Sequence, residues 1–144
     1  MREILFRGKR KDNKEWVDGW LYVHEPPLQC HYPKNYVEES KKYYILQTAF
    51  ADWNMERLVE FFEVIPATVG QFTGLLDKNG VKIFEGDIVA VSIVSPTMTT
   101  NMLVQWEGSG FWLVDAGRSY MPNKNFREVI GNIHDNPELL EVTE

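Results

Sequence analysis

Thr68-Val69-Gly70-Gln71-Phe72-Thr73-Gly74-Leu75-Leu76, Asp77-Lys78-Asn79-Gly80 and Val81-Lys82-Ile83-Phe84-Glu85-Gly86-Asp87-Ile88-Val89 follow one another without interruption. The run reads as strand, turn, strand, turn, strand. Asn79-Gly80 is the strongest local hairpin signal in the chain, because both residue types tolerate the positive φ of a primed turn. Gly86-Asp87 then reverses the chain into residues 88–94, which are apolar at successive positions and so suit a strand covered on both faces.

Towards the C-terminus the same grammar repeats. Residues 102–107 and 111–115 flank Gly108-Ser109-Gly110, a three-residue hairpin signature, while residues 95–101 are polar and read as a loop or hairpin end. Residues 116–127 read as another loop. Residues 128–134 form a last strand in which Gly131 marks a bulge. Asn136-Pro137 offers a cap and a proline at the first helical position, so a short helix through Leu139-Leu140 is expected. Five or six short strands joined by tight turns suggest a small barrel, closed to leave no edge exposed. Gly86-Asp87-Ile88-Val89 entering an apolar strand is common in SH3-like barrels.

Towards the N-terminus, residues 4–8 read as a strand, 9–15 as a polar turn and 16–23 as the returning strand. Trp16, Trp20 and Tyr22 share one parity and line one face of the pleat. Glu25-Pro26-Pro27 breaks the pattern, and residues 28–42 read as an irregular polar connection. Residues 43–48 are rich in strand formers. Residues 51–65 are ambiguous, with Trp53, Arg57, Glu60 and Phe61 placed for a helix. Pro66 behind Phe61-Phe62-Glu63-Val64-Ile65 favours extended structure, hence a strand over 58–65. The expected fold is mainly β: a β-rich subdomain over 1–65, then an SH3-like barrel with a short C-terminal helix over 66–144.

The 144 residues suffice for one ordinary domain or two small interlocked ones. A single cysteine, Cys30, cannot form an internal disulfide and fits a reducing cytosol. No apolar run approaches the length of a membrane span, so a cytoplasmic protein without membrane contact is expected. Fifteen Lys+Arg against 21 Asp+Glu leave a net charge of −6, which disfavours indiscriminate nucleic-acid binding. The charge is uneven. Arg2, Arg7, Lys9, Arg10, Lys11 and Lys14 face only Glu3 and Asp12 in the first 14 residues, and the C-terminal end is purely acidic.

The long central run, together with Glu128-Val129-Ile130-Gly131-Asn132-Ile133, resembles the YopX family. The opening Phe6-Arg7-Gly8-Lys9 with Trp16-Val17 and the closing Asn136-Pro137-Glu138-Leu139-Leu140 resemble its two ends. The resemblance spans nearly the whole chain in order and is weakest between residues 25 and 62. It implies a bacteriophage or prophage protein, a β-rich fold containing an SH3-like barrel, and an activity that is unassigned. It brings no catalytic residue or ligand to carry over.

The constellations for chemistry are sparse. His24, Cys30, His31 and His134 lack the spacing of a zinc site. Cys30 with His24 or His134 has nothing beside it to lower a thiol pKa. Glu85, Asp87 and Asp135 already have turn roles as carboxylates. Gly70–Gly74 lacks the lysine and helix of a phosphate loop. No cofactor and no metal are expected. Gln71 and Thr73 share a face and point outward as recognition groups, or else hydrogen-bond across strands. Lys9, Arg10 and Lys11 form a basic hairpin tip, either solvated surface or contact for a phosphate or acidic partner. Trp106, Phe111 and Trp112 offer a stacking platform or core packing, with only Arg118, Lys124 and Arg127 as nearby cations.

Three readings follow. One is a non-catalytic module that docks on a host or phage protein, or on a copy of itself as a homo-oligomer. Another is a nucleic-acid-binding barrel using the basic hairpin. The third is an enzyme whose site the sequence does not display.

Overall fold

A computed structural model describes residues 1–27, 33–49, 58–95, 98–121 and 126–140. The chain is mainly β and divides into two compact units, Ile4–Val69 and a second formed by Met1–Glu3 with Gly70–Glu144.

The first unit contains β1 (Phe6–Lys9), β2 (Trp16–His24), β3 (Lys42–Ala49) and β4 (Leu58–Val64), paired antiparallel in the order β4-β3-β2-β1. The expected strand over 58–65 therefore forms, ending before Pro66, which opens a single 3-10 turn over Pro66–Thr68. A six-residue helix α1 (Lys34–Glu39) occupies part of the connection expected to be irregular. So short a helix shows less than two turns of periodicity, too little to read. Just beyond β1 the chain turns onto the outer edge of β4. Arg10 bridges Val64, the Lys11 N–H donates to the Glu63 carbonyl (3.0 Å), and the Ile65 N–H donates to the Lys9 carbonyl (2.8 Å). Ile45 and Val64 are fully buried, with Leu5 nearly so.

In the second unit β5 (Gly70–Leu76) pairs with β6 (Lys82–Phe84), and β7 (Asp87–Ser95), β8 (Met98–Glu107), β9 (Gly110–Asp115), β10 (Arg118–Tyr120) and β11 (Phe126–Asn132) make a sheet ordered β10-β9-β8-β7-β11. Strand, turn, strand, turn, strand is thus what the central run forms. The barrel expectation is corrected: β10 and β11 are the two ends of this order, and among the described residues no ladder joins them, so the sheet is open. Residues 98–101, expected as a loop or hairpin end, extend β8 in the β7–β8 hairpin, because Thr99, Thr100 and Asn101 pair with Ser92, Val91 and Ala90. Threonine's β-branching supports this despite its polarity. β10 was hidden inside an expected loop. It follows the turn Ala116-Gly117, where both residues have positive φ. The C-terminal helix is one 3-10 turn, Pro137–Leu140.

The hairpin loop differs instructively from a two-residue primed turn. Gly80 adopts φ +81° while Asn79 is not in the left-handed region. The Asp77 N–H reaches the Val81 carbonyl (2.8 Å), giving a three-residue loop closed by a left-handed glycine. Asp77 is buried, and its carboxylate accepts N–H bonds from Asn79 (2.7 Å), Val81 (2.9 Å) and, 52 residues on, Val129 (3.1 Å). Burial pushes this carboxyl up, but those three donors, helped by the Lys78 ammonium, outweigh it and hold it below the ordinary range. Ile83, Val89, Val91, Met102, Val104 and Leu113 pack as the core of the unit, flanked by Tyr120 and Val129. The register shift between Val129 and Gly131 is the expected bulge.

Candidate functional site

The two faces of the β4-β3-β2-β1 sheet are unlike. Cross-strand pairing puts Trp20, Leu46 and Phe61 in one row, since Trp20 opposes Leu46 and Leu46 opposes Phe61. Tyr22, Tyr44 and Glu63 form the next row by the same pairings, and Thr48 opposes Val59 on the other side. Period-two alternation places all of these on one face. The opposite face carries Gly8, Gly19, Ile45 and Val64, which are buried. On the first face Trp20 is 53% exposed, Tyr22 46%, Val59 48% and Phe61 59%, while Tyr44 and Leu46 are half-buried between them. Where β2 and β3 part beyond the Trp20–Leu46 pair, the Gln47 amide donates to the Asp18 carbonyl (2.7 Å). An open depression of 280 Å³ lies there, lined by Asp18, Trp20, Leu46, Gln47 and Thr48 among others.

The sequence shows half of this face. The shared parity of Trp20 and Tyr22 is visible there, but Val59 and Phe61 come from the ambiguous segment, in which Phe61 is also placed for a helix. Only the strand assignment brings the two sets into register. A single scattered aromatic needs no explanation, whereas four large apolar side chains exposed on one sheet face do.

The basic tip is tied down locally. The Arg7 guanidinium lies over the Trp16 ring (4.8 Å), with the Lys9 ammonium also above it (5.9 Å). Arg10 binds Asp12 through Nε (2.9 Å) and lies over the Phe62 ring (4.5 Å). Lys11 pairs with Glu63 (2.6 Å), whose carboxyl that ammonium holds below its ordinary range. Asp12 is likewise lowered by its hydrogen bond from Arg10.

In the other unit, the Thr73 hydroxyl donates across the strand pair to the Ile83 carbonyl (2.8 Å) and accepts the Leu75 N–H (3.2 Å). Gln71 is half-buried, and its carbonyl accepts the Glu85 N–H (2.9 Å). Trp106 opposes Phe111, and the two rings meet edge to face at 5.0 Å. Trp112 opposes Gln105 instead, so it projects from the other side of the sheet and shares no platform with Trp106. Its indole N–H donates to the Glu107 carbonyl (3.1 Å).

Among the described residues, no group of three or more His, Cys, Asp or Glu side chains is placed to hold a metal ion. Cys30 and His31 lie outside the described residues, as does Lys124. No described helix is long and apolar enough to cross a membrane.

No curated protein matches this chain. Among solved structures, the crystal structure of protein EF1440 from Enterococcus faecalis is similar over 98% of this chain and 100% of its own, with 22% identity and a TM-score of 0.53. That likeness concerns the fold. The family model described as YopX protein matches residues 5–141, nearly the whole length, and the chain therefore belongs to the YopX family.

Proposed function

We propose that this protein is a non-catalytic binding module, of phage or prophage origin, that docks on a polypeptide of the host cell or the phage through the open face of the β4-β3-β2-β1 sheet. The observation that carries this is the exposure of Trp20, Tyr22, Val59 and Phe61 on that one face, flanking the half-buried Tyr44 and Leu46. Trp and Tyr dominate the energetics of protein interfaces because they bury large area at low entropic cost. Each is costly to leave hydrated, at roughly 25 cal/mol per Å² of apolar surface. The strand order β10-β9-β8-β7-β11 of the other unit, a four-strand meander with the fifth strand beside its first, is read here as an opened SH3-like sheet serving as scaffold.

Charge distribution bears on the nucleic-acid reading. Residues 4–69 hold nine Lys+Arg against ten Asp+Glu, net −1. The remainder holds six against eleven, net −5, so the acidity lies mostly outside the proposed docking unit. The cations at the tip nonetheless have the local partners described above, which favours a polypeptide over a phosphate backbone.

The test is affinity capture from nuclease-treated host lysate with the wild type and with the pair of changes Trp20→Ala and Phe61→Ala. A protein retained by the wild type, lost from the double variant and kept by a Lys78→Ala control is the expected result. Retention that ignores the face variant, or that vanishes with nuclease, would overturn the proposal.

A further inference from the structure

The exposed face ends at a sheet edge, and the edge tells what kind of polypeptide fits. β4 pairs with β3 through seven consecutive residues without a register shift, and among the described residues no strand covers Leu58–Phe62 on its other side. Natural edges are usually blunted by brevity, bulges or inward charges. β10 is three residues long and β11 is shifted twice. β4 is neither short nor bulged, and of these devices it carries only a charge, Glu60, on the face of Ile45 and Val64.

The chain itself pairs with one end of this edge. Residues 9–11 lie on the end of this same edge, and the Glu63 carbonyl and Ile65 N–H point outward to meet them. In an antiparallel strand alternate residues direct both main-chain groups to the same side, so the N–H and C=O of Val59 and Phe61 also point outward. The self-bound segment adds a charge rule: Lys11 lies across from Glu63 with its ammonium on the carboxylate. β4 carries Glu60 and Glu63 and no cation, and Glu60 is exposed.

We infer that the partner is engaged by strand addition: an extended segment pairs with β4 at Val59 and Phe61, lays apolar side chains beside them, and sets a lysine or arginine across from Glu60. The inference rests on the docking reading above and deepens it. An area and a charge pairing favour a lone strand over a second copy of this chain. The exposed portions of Trp20, Tyr22, Val59 and Phe61 sum to on the order of 400 Å² for side chains of this size, about half of the roughly 800 Å² per partner in a stable interface. A two-fold pairing of β4 with itself centred on this stretch would also oppose Glu60 to Glu60, a like-charge pair that destabilises a ladder.

The experiment uses the full chain and three synthetic seven-residue peptides: one alternating valine and lysine, the same sequence N-methylated at the residues of one edge, and a counterpart with glutamate for lysine. Calorimetry or fluorescence polarisation should show binding of the first, weakened about tenfold or more by N-methylation, which removes main-chain donors but leaves side chains. The glutamate peptide should bind at least as weakly, and Glu60→Lys, at an exposed position where folding is checked by circular dichroism, should reverse that preference. Equal binding of methylated and unmethylated peptides would overturn strand addition, as would dimerisation of the wild type that Phe61→Ala abolishes. No binding of the valine–lysine peptide would also overturn it. If capture in lysate still depends on Trp20 and Phe61 in any of those cases, the docking face stands while the edge mechanism falls. If capture ignores them, both fall.

Discussion

The two units differ in how much apolar side chain they bury. In the unit built on residues 70 onward, Ile83, Val89, Val91, Met102, Val104 and Leu113 converge on one core. In Ile4–Val69 only Leu5, Ile45 and Val64 are buried hydrophobics among the described residues, and the larger aromatics Trp20, Tyr22 and Phe61 stand in solvent. Both units expose large apolar side chains, Leu76, Met98, Trp106 and Met121 among them in the second. One unit, however, encloses a large buried set, while the other buries little and gathers four exposed ones on a single sheet face. The comparison separates residues kept for stability from residues kept for contact, a distinction that composition alone does not make.

The sharpest way to break this contrast is a truncation in the core. Met102 is 1% exposed, so Met102→Ala should cost roughly 2–5 kcal/mol, read as a fall in the denaturation midpoint. Asp77→Ala comes next, at roughly 2–3 kcal/mol, because it strands three N–H groups that the carboxylate now receives. The same site predicts a pH dependence. Its folded pKa lies below the unfolded one, so its stabilisation is complete above the ordinary carboxylate pKa of about 3.9 and is lost as pH falls through the folded value. The stability gap between wild type and Asp77→Asn should be full at neutral pH and should shrink only below about pH 4. A gap that widens in acid would contradict the assignment.

Gly80→Ala forces a Cβ into φ +81° with no steric neighbour nearby, so backbone conformation alone sets its cost, about 1 kcal/mol in thermal denaturation. The smallest effect is the most telling. Phe61→Ala should shift stability by no more than about 0.5 kcal/mol, as surface changes do. A loss comparable to that of Met102→Ala would place Phe61 in a core and erase the contrast.

Much of the fold is legible locally. Asn79-Gly80, Gly86-Asp87, Gly108-Ser109 and the proline at 66 each carry their own turn chemistry, and the strands between them follow. Gly70 and Gly74 also behave as strand glycines do: a Cβ on Gly70 would lie 2.4 Å from the Glu85 carbonyl oxygen, and Gly74 has φ +85° beside an irregular stretch of pairing. What escaped was short or long-range. α1 and β10 contain six and three residues, too few for a period to show. The third donor to Asp77 comes from Val129, and no turn rule reaches that far. The candidate face was half legible for the same reason. Parity aligned Trp20 with Tyr22, but whether a face is covered depends on what the remainder of the chain packs against it. Trp106 and Trp112 show the converse, since proximity in sequence suggested one platform and register put them on opposite sides.

The reach from Asp77 to Val129 also has a consequence in time. A ribosome working at about 5–20 residues per second delivers the last donor some 3–10 seconds after the carboxylate. Through that interval the hairpin loop must stay partly hydrated, and the β7 edge that β11 later covers is open to any other strand. The nascent chain therefore passes through a window in which its most apolar strand has one edge uncovered, and slowing elongation between residues 91 and 129 should raise the fraction lost to aggregation.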